Sequence, residues 1–103
     1  MNGHYLMNGD KITLQDSREY GLPTNIKTGK LSNGVWVIIK DRKSRIIMKD
    51  GHLIKEQAEK IIDLCGAKKV CLGTTAPICS KTKLFLEGSN IVVHTLYKIQ
   101  QGK

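Results

Sequence analysis

The stretch KVCLGTTAPICSKTKLFL, residues 69–86, decides how this chain is to be read. Its opening, around KKVCLG, is a short apolar run rich enough in β-branched and small residues to form a buried strand. A polar turn follows at Thr74 and Thr75. Pro77 then suits the first turn of a helix running to about Phe85, and Gly88 suits its end. Beyond it, NIVVHTLYK (90–98) reads as a last strand. A helix between two strands that pair in parallel must cross over right-handed, so 69–73 and 91–97 are expected side by side.

Upstream, Ile54, Ala58, Ile61, Ile62 and Cys65 recur at the spacing of one helical face, and Gly66 is placed to end that helix. Before it, VWVIIK (35–40) and RIIMK (45–49) are β-branched runs joined by DRKS (41–44), which reads as an antiparallel hairpin. The order from residue 35 is thus ββαβαβ. Residues 1–34 form a β-rich hairpin and loop region in which Asn-Gly, the dipeptide of tight hairpin turns, occurs at 2–3, 8–9 and 33–34. Residues 4–7 and 11–14 can pair across Asn8-Gly9. Between Asp16 and Lys30 the reading is a loop, with one helical turn at DSREYG stopped by Gly21 and Pro23. The expected fold class is α+β: a small single domain over 1–103, with a mixed sheet and about two helices packed on one face.

The chain has 103 residues, 40% of them hydrophobic and 25% charged, a balance that suits a globular domain better than a disordered one. Neither a membrane-spanning run nor a signal-peptide stretch is present, so the expected location is cytoplasmic. Cys65, Cys71 and Cys79 cannot all pair within one chain and lack the CxxC spacing of a zinc site. Reduced thiols are expected, with no metal and no cofactor.

Charge points further. Seventeen Lys and Arg against nine Asp and Glu leave +8, a field that attracts polyanions. The excess lies mainly after residue 34. The segment KDRKSR supplies Lys40, Arg42, Lys43 and Arg45, a basic finger suited to a phosphate backbone, although the same charges also protect a sheet edge. At the strand-to-helix turn, Thr74, Thr75, Ser80, Lys81 and Lys83 offer hydroxyl and ammonium donors beside a helix N-terminus, where open α/β sheets bind anions. The plainer reading makes Thr74 or Thr75 only a helix cap. Lys68 and Lys69 join the surface if they share its face.

Several sharper patterns fail. The residue five after Gly73 is Ile78, and Lys81-Thr82 falls two positions late for a P-loop. A thiol nucleophile in a phosphate-binding turn, as in sugar-phosphotransferase IIB domains and low-molecular-weight phosphatases, is approached by Cys71, but no Arg closes the loop. Cys79, in the first turn of the helix, is the better thiolate candidate. The turn IIMKDGHLI lacks the first Gly of the RNA-clamping G-x-x-G, since position 48 is Met. A helix-turn-helix over 55–65 and 77–86 is hindered by the long AKKVCLGTTA between them. His4, His52 and His94 are scattered. Asp41 and Asp50 suggest a metal-dependent nuclease, yet the strands lack the acidic-x-Lys doublet. Trp36 and Tyr97 are the aromatic candidates for base stacking.

The resulting expectation is a small basic protein, a binder rather than an enzyme, that takes nucleic acid or another polyanion through 40–45 and 74–83. Two alternatives stand beside it: an interaction subunit docking on an acidic protein, and a small α/β enzyme or phosphocarrier using a cysteine at 71–80.

Overall fold

A computed structural model describes residues 4–7, 9–22 and 26–99, with positions 4 and 99 as backbone. In chain order the elements are β1 (His4–Met7), β2 (Asp10–Gln15), a 3-10 turn (Ser17–Tyr20), β3 (Thr28–Lys30), β4 (Trp36–Lys40), α1 (Met48–Cys65), β5 (Val70–Thr74), α2 (Ser80–Gly88), β6 (Val93–Thr95) and β7 (Tyr97–Ile99). The strands join in one mixed sheet ordered β6-β5-β4-β3-β2-β1-β7. Both helices lie on one face of it, so the expected α+β class holds.

The parallel pairing of β5 with β6 is where the sequence places it, and β4 joins them on the other side of β5. β4 pairs with β5, Trp36 opposite Val70 and Lys40 opposite Thr74, and β5 pairs with β6. Each parallel pair is linked by a helical crossover, as strands running the same way require. β4 alternates between two buried faces. Trp36 and Ile38 point toward the helices and meet Ile54, Ala58 and Ile61 of α1 and Leu86 of α2. Val37 and Ile39 point the other way, against Tyr5, Met7, Ile12, Cys71 and Leu96. That double burial explains why VWVII is a continuous apolar run rather than an alternating one.

The second face is covered by the sheet itself. β6 and β7 are the two edge strands, yet only Leu96 separates them in the chain. The sheet must therefore curl until its edges approach, in a nearly barrel-like arrangement, and Leu96 turns its side chain into the enclosed core. Gly73 makes room for this. A Cβ there would stand 3.0 Å from Leu96 Cδ1 and 3.1 Å from Val37 Cγ1.

Four local readings are corrected. Residues 45–49 are not a strand: Ile46 forms a single bridge to Ile78, and α1 already begins at Met48. The β-branched pair suits a strand locally, but Asp50 lies three residues after Ile47 and its carboxylate accepts the Ile47 N–H at 3.0 Å, which starts a helix instead. The hairpin is replaced by a crossover. Pro77 precedes α2 rather than opening it, because 77–79 is held extended against Ile46 by Ile46 N–H to the Pro77 carbonyl and Cys79 N–H to the Ile46 carbonyl, both 2.9 Å. Thr28–Lys30 is a strand, not part of a loop, pairing with both β2 and β4. Ile62, finally, is 44% exposed rather than a core residue of α1.

The N-terminal readings fare better. Tyr5 sits opposite Ile12 and Met7 opposite Asp10, with Gly9 at φ 81° in the turn. Gly34, at φ 88°, closes the β3–β4 hairpin, and the 3-10 turn ends at Gly21 with φ 75°. Asn2-Gly3, Asn8 and Pro23 lie outside the described residues. No helix among the described residues is long and apolar enough to cross a membrane.

Candidate nucleic-acid interface

The two basic segments selected from sequence, 40–45 and 74–83, are far apart in the chain. The parallel register brings their starts together, since Lys40 and Thr74 are partners at the carboxyl ends of β4 and β5. From there the segments run side by side. Thr75 N–H donates to the Lys40 carbonyl at 3.2 Å, Arg42 N–H donates to Thr75 Oγ1 at 3.2 Å, and the Ile46 bonds to Pro77 and Cys79 continue the seam. One rim thus carries both segments. Lys68 and Lys69 precede β5 and lie at the opposite end of the sheet, so they do not join it.

The side chains divide into those free to meet a ligand and those already engaged. Lys43 and Arg45 are exposed on the 41–47 connection, and Ser80, Lys81 and Lys83 are exposed on the first turn of α2. Arg42, by contrast, is a staple. Its guanidinium reaches Asp50 at 2.6 and 3.4 Å and the carbonyls of Ser44 and Arg45 at 3.1 and 3.0 Å. It holds the connection onto the start of α1 and has little capacity left for a phosphate. These Arg42 bonds, with the Ile47 N–H, keep the Asp50 carboxyl below the usual carboxylate range. Lys40 is half-buried; that burial, then the nearby Arg42, lowers its ammonium pKa, opposed by Asp50.

The hydroxyls of Thr74 and Thr75 are engaged within the turn, and neither caps α2. Thr74 is buried, and its hydroxyl accepts the Ala76 N–H at 2.9 Å. Thr75 Oγ1 accepts from Arg42 and donates to Asp41 Oδ1 at 3.2 Å. The N-cap position belongs to Cys79. Beside this turn an open cleft of about 310 Å3 is lined by Thr75, Lys83, His94 and Thr95.

Asp41 organises a network that residue spacing did not reveal. Its carboxylate accepts the Tyr5 hydroxyl at 2.9 Å, pairs with Lys98 Nζ at 3.2 Å and takes the Thr75 bond, while Lys27 Nζ donates to the Tyr5 oxygen at 2.8 Å. Burial raises the Asp41 pKa, but the bonds from Tyr5, Lys98 and Thr75 outweigh it and hold the carboxyl below its ordinary value. The group ties β1 and β7 to the end of β4. Positions 5, 27, 41, 75 and 98 share no period, so only the curled sheet unites them.

The cysteines separate clearly. Cys71 is 2% exposed, and burial pushes its thiol up to about 11, which removes it as a nucleophile. Cys79 is half-buried, and the amides of Thr82 and Lys81 lower its pKa. Trp36 is 3% exposed, edge-on to Tyr20 and under Lys30, and so offers no stacking platform, whereas Tyr97 is 61% exposed. β5 occupies the middle of the supposed helix-turn-helix, which rules that arrangement out. Gly51 packs inside α1 against Thr82 and Phe85 of α2 rather than in an RNA-clamping loop. Among the described residues no three His, Cys, Asp or Glu side chains come together to hold a metal ion.

No protein-family model matches the chain, and no match is found among the curated proteins. Solved structures do share its fold. EndoMS in its apo form superposes with a TM-score of 0.59 at 16% identity, covering 82% of this chain and 35% of that one. EndoMS in complex with dsDNA gives 0.56 at 20% identity, covering 73% and 31%, and a repair endonuclease from Pyrococcus abyssi gives 0.56 at 13%, covering 67% and 30%. The likeness is one of fold. The chain spans about a third of the length of these proteins.

Proposed function

We propose that this chain binds nucleic acid without chemistry of its own, through the rim formed by the 41–47 connection and the start of α2. The observation that carries the reading is the pairing of 40–46 with 75–79, which sets Lys43 and Arg45 beside Ser80, Lys81 and Lys83. Four exposed cations on one rim of a +8 protein supply the sequence-independent attraction on which phosphate-backbone binding rests. The two carboxylates nearest this rim, Asp41 and Asp50, are engaged in internal bonds, which restricts the proposal to binding. EndoMS, similar in fold, has been determined with double-stranded DNA, and duplex DNA is therefore the first ligand to test.

The test is anisotropy of a labelled short duplex titrated between about 50 and 200 mM salt. Binding is expected to weaken steeply with salt. Replacing Lys43 and Arg45 together with Glu removes two phosphate contacts and lowers the slope of log affinity against log salt by about 2. Absence of binding at the lowest salt, or a slope unchanged in the double variant, refutes the reading.

A further inference from the structure

At the opposite end of the sheet from this rim lies a cavity of about 400 Å3. It opens between α1, the entry to β5 and the turn that follows α2. Its floor is apolar: Ala58, Val70 and Ile91 are buried there, and Ile62 contributes a wall. Its edge is cationic, with Lys55, Lys68 and Lys69 against a single acid, Glu59. Among the described residues none of these lysines is ion-paired; the pairs present are Arg18–Asp16, Arg42–Asp50 and Lys98–Asp41.

The ends of both helices reach this region, and helix C-termini oppose anions. Each terminus acts as about half a negative charge. Three ammonium groups against Glu59 and two such termini leave about one net positive charge. The last carbonyls of α2 are moreover already bonded: Leu86 accepts from Ser89 and Ile91 at 2.9 Å, Glu87 from Asn90 at 3.1 Å, and Phe85 from Ser89 Oγ at 3.1 Å. Those bonds fix the turn, with Asn90 at φ 65°. Asn90 lines the cavity, and its carboxamide has no hydrogen-bond partner among the described residues. It is free to donate and accept at once.

We infer that this cavity is a binding site for an organic phosphate monoester with a flat, partly apolar body, of which a nucleoside monophosphate is the chemical type. The phosphate meets Lys68 and Lys69, which serve as point charges. The body covers Ile62 and Ile91, and the Asn90 carboxamide pairs with its polar edge. The volume falls within the range of small-ligand pockets.

The experiment uses the whole chain and three probes: 5′-AMP, adenosine and inorganic phosphate, followed by NMR shift perturbation with calorimetry. AMP is expected to bind at least about tenfold more tightly than either fragment, since it alone uses both cations and floor. Perturbations are expected at the Ile62 methyls and the Asn90 side-chain amide. Replacing Lys68 and Lys69 with Glu should cost about tenfold or more in AMP affinity, and the Lys43→Glu, Arg45→Glu variant should bind AMP as the parent does. A thermal melt run in parallel confirms that each variant is folded, and Ile62→Gln, at an exposed position, tests the floor without entering the core. AMP binding no tighter than phosphate, binding equalled by adenosine, or perturbations confined to Thr75 and Lys83 each overturn the assignment. Because the duplex assay reads the other end of the sheet, failure here leaves the nucleic-acid proposal standing, and the reverse.

Discussion

Replacing Asp50 with alanine should loosen the connection that presents Lys43 and Arg45, and the size of the effect follows from three bonds. The carboxylate meets Arg42 Nη2 at 2.6 Å and Nη1 at 3.4 Å, and accepts the Ile47 N–H at 3.0 Å. The side chains of Arg42 and Asp50 are 32% and 23% exposed, so solvent screens the pair and about 1 kcal/mol is assigned to it. Loss of the amide acceptor at the helix start costs about 1 kcal/mol more. The expected destabilisation is about 2 kcal/mol, or a Tm lowered by about 10 °C for a domain of this size. Arg42→Ala is expected to cost about 1.5 kcal/mol, and the double variant should show a coupling of about 1 kcal/mol. Urea titration followed by the fluorescence of Trp36, the single tryptophan, reads all four proteins. The pH dependence has a defined sign. Arg42 and the Ile47 N–H lower the Asp50 pKa in the folded state, so its contribution is fully present above the unfolded carboxylate value of about 4 and is lost as pH falls through the lower folded value. Additive single effects, or a parent-to-variant difference that persists unchanged in strong acid, would refute the reasoning. In the duplex assay Asp50→Ala should weaken binding without altering its salt slope, because no phosphate contact is removed.

Two further outcomes are expected. A Cβ at Gly29 would overlap Ile12 Cγ2 and press on the Thr13 carbonyl, while one at Gly73 meets only side chains, at 3.0 to 3.3 Å; Gly29→Ala should therefore cost more than Gly73→Ala, which is set at about 1–3 kcal/mol, and denaturation that ranks them in reverse contradicts the packing described. Cys79 should be alkylated by iodoacetamide in the folded protein near neutral pH and Cys71 only after unfolding, as peptide mass mapping would show; equal labelling of both would contradict the buried placement of Cys71.

Much of the fold was legible because its signals are local. The apolar spacing of Ile54, Ala58 and Ile61, the stop at Gly66 and the glycine turns at 9, 21 and 34 depend on a few neighbouring residues and on positive φ angles. Readings failed where a distant partner overrode propensity. Ile46 and Ile47 are good strand residues, but the extended partner available to Ile46 is Ile78, and one bridge does not make a ladder. Thr28–Lys30 has little strand character and becomes a strand because β2 and β4 flank it on both sides. The site shows the same division. The basic residues were visible as a composition, but which of them are free was not: Arg42 and Lys43 are adjacent in sequence, yet one is bound to Asp50 and the other is exposed.

By itself, then, the sequence determined the class of the fold, the helical crossover through α2 and the net positive charge, because each is carried by residues within a turn or two of one another or by a simple sum. Tertiary structure alone decided that 40–46 and 75–79 form one rim, that Lys68 and Lys69 face away from it, and that Tyr5, Asp41, Thr75 and Lys98 close the curled sheet. The physical reason is register. The pairing of Lys40 with Thr74 and the curl that brings β6 and β7 to either side of Leu96 fix distances between residues that no local periodicity relates.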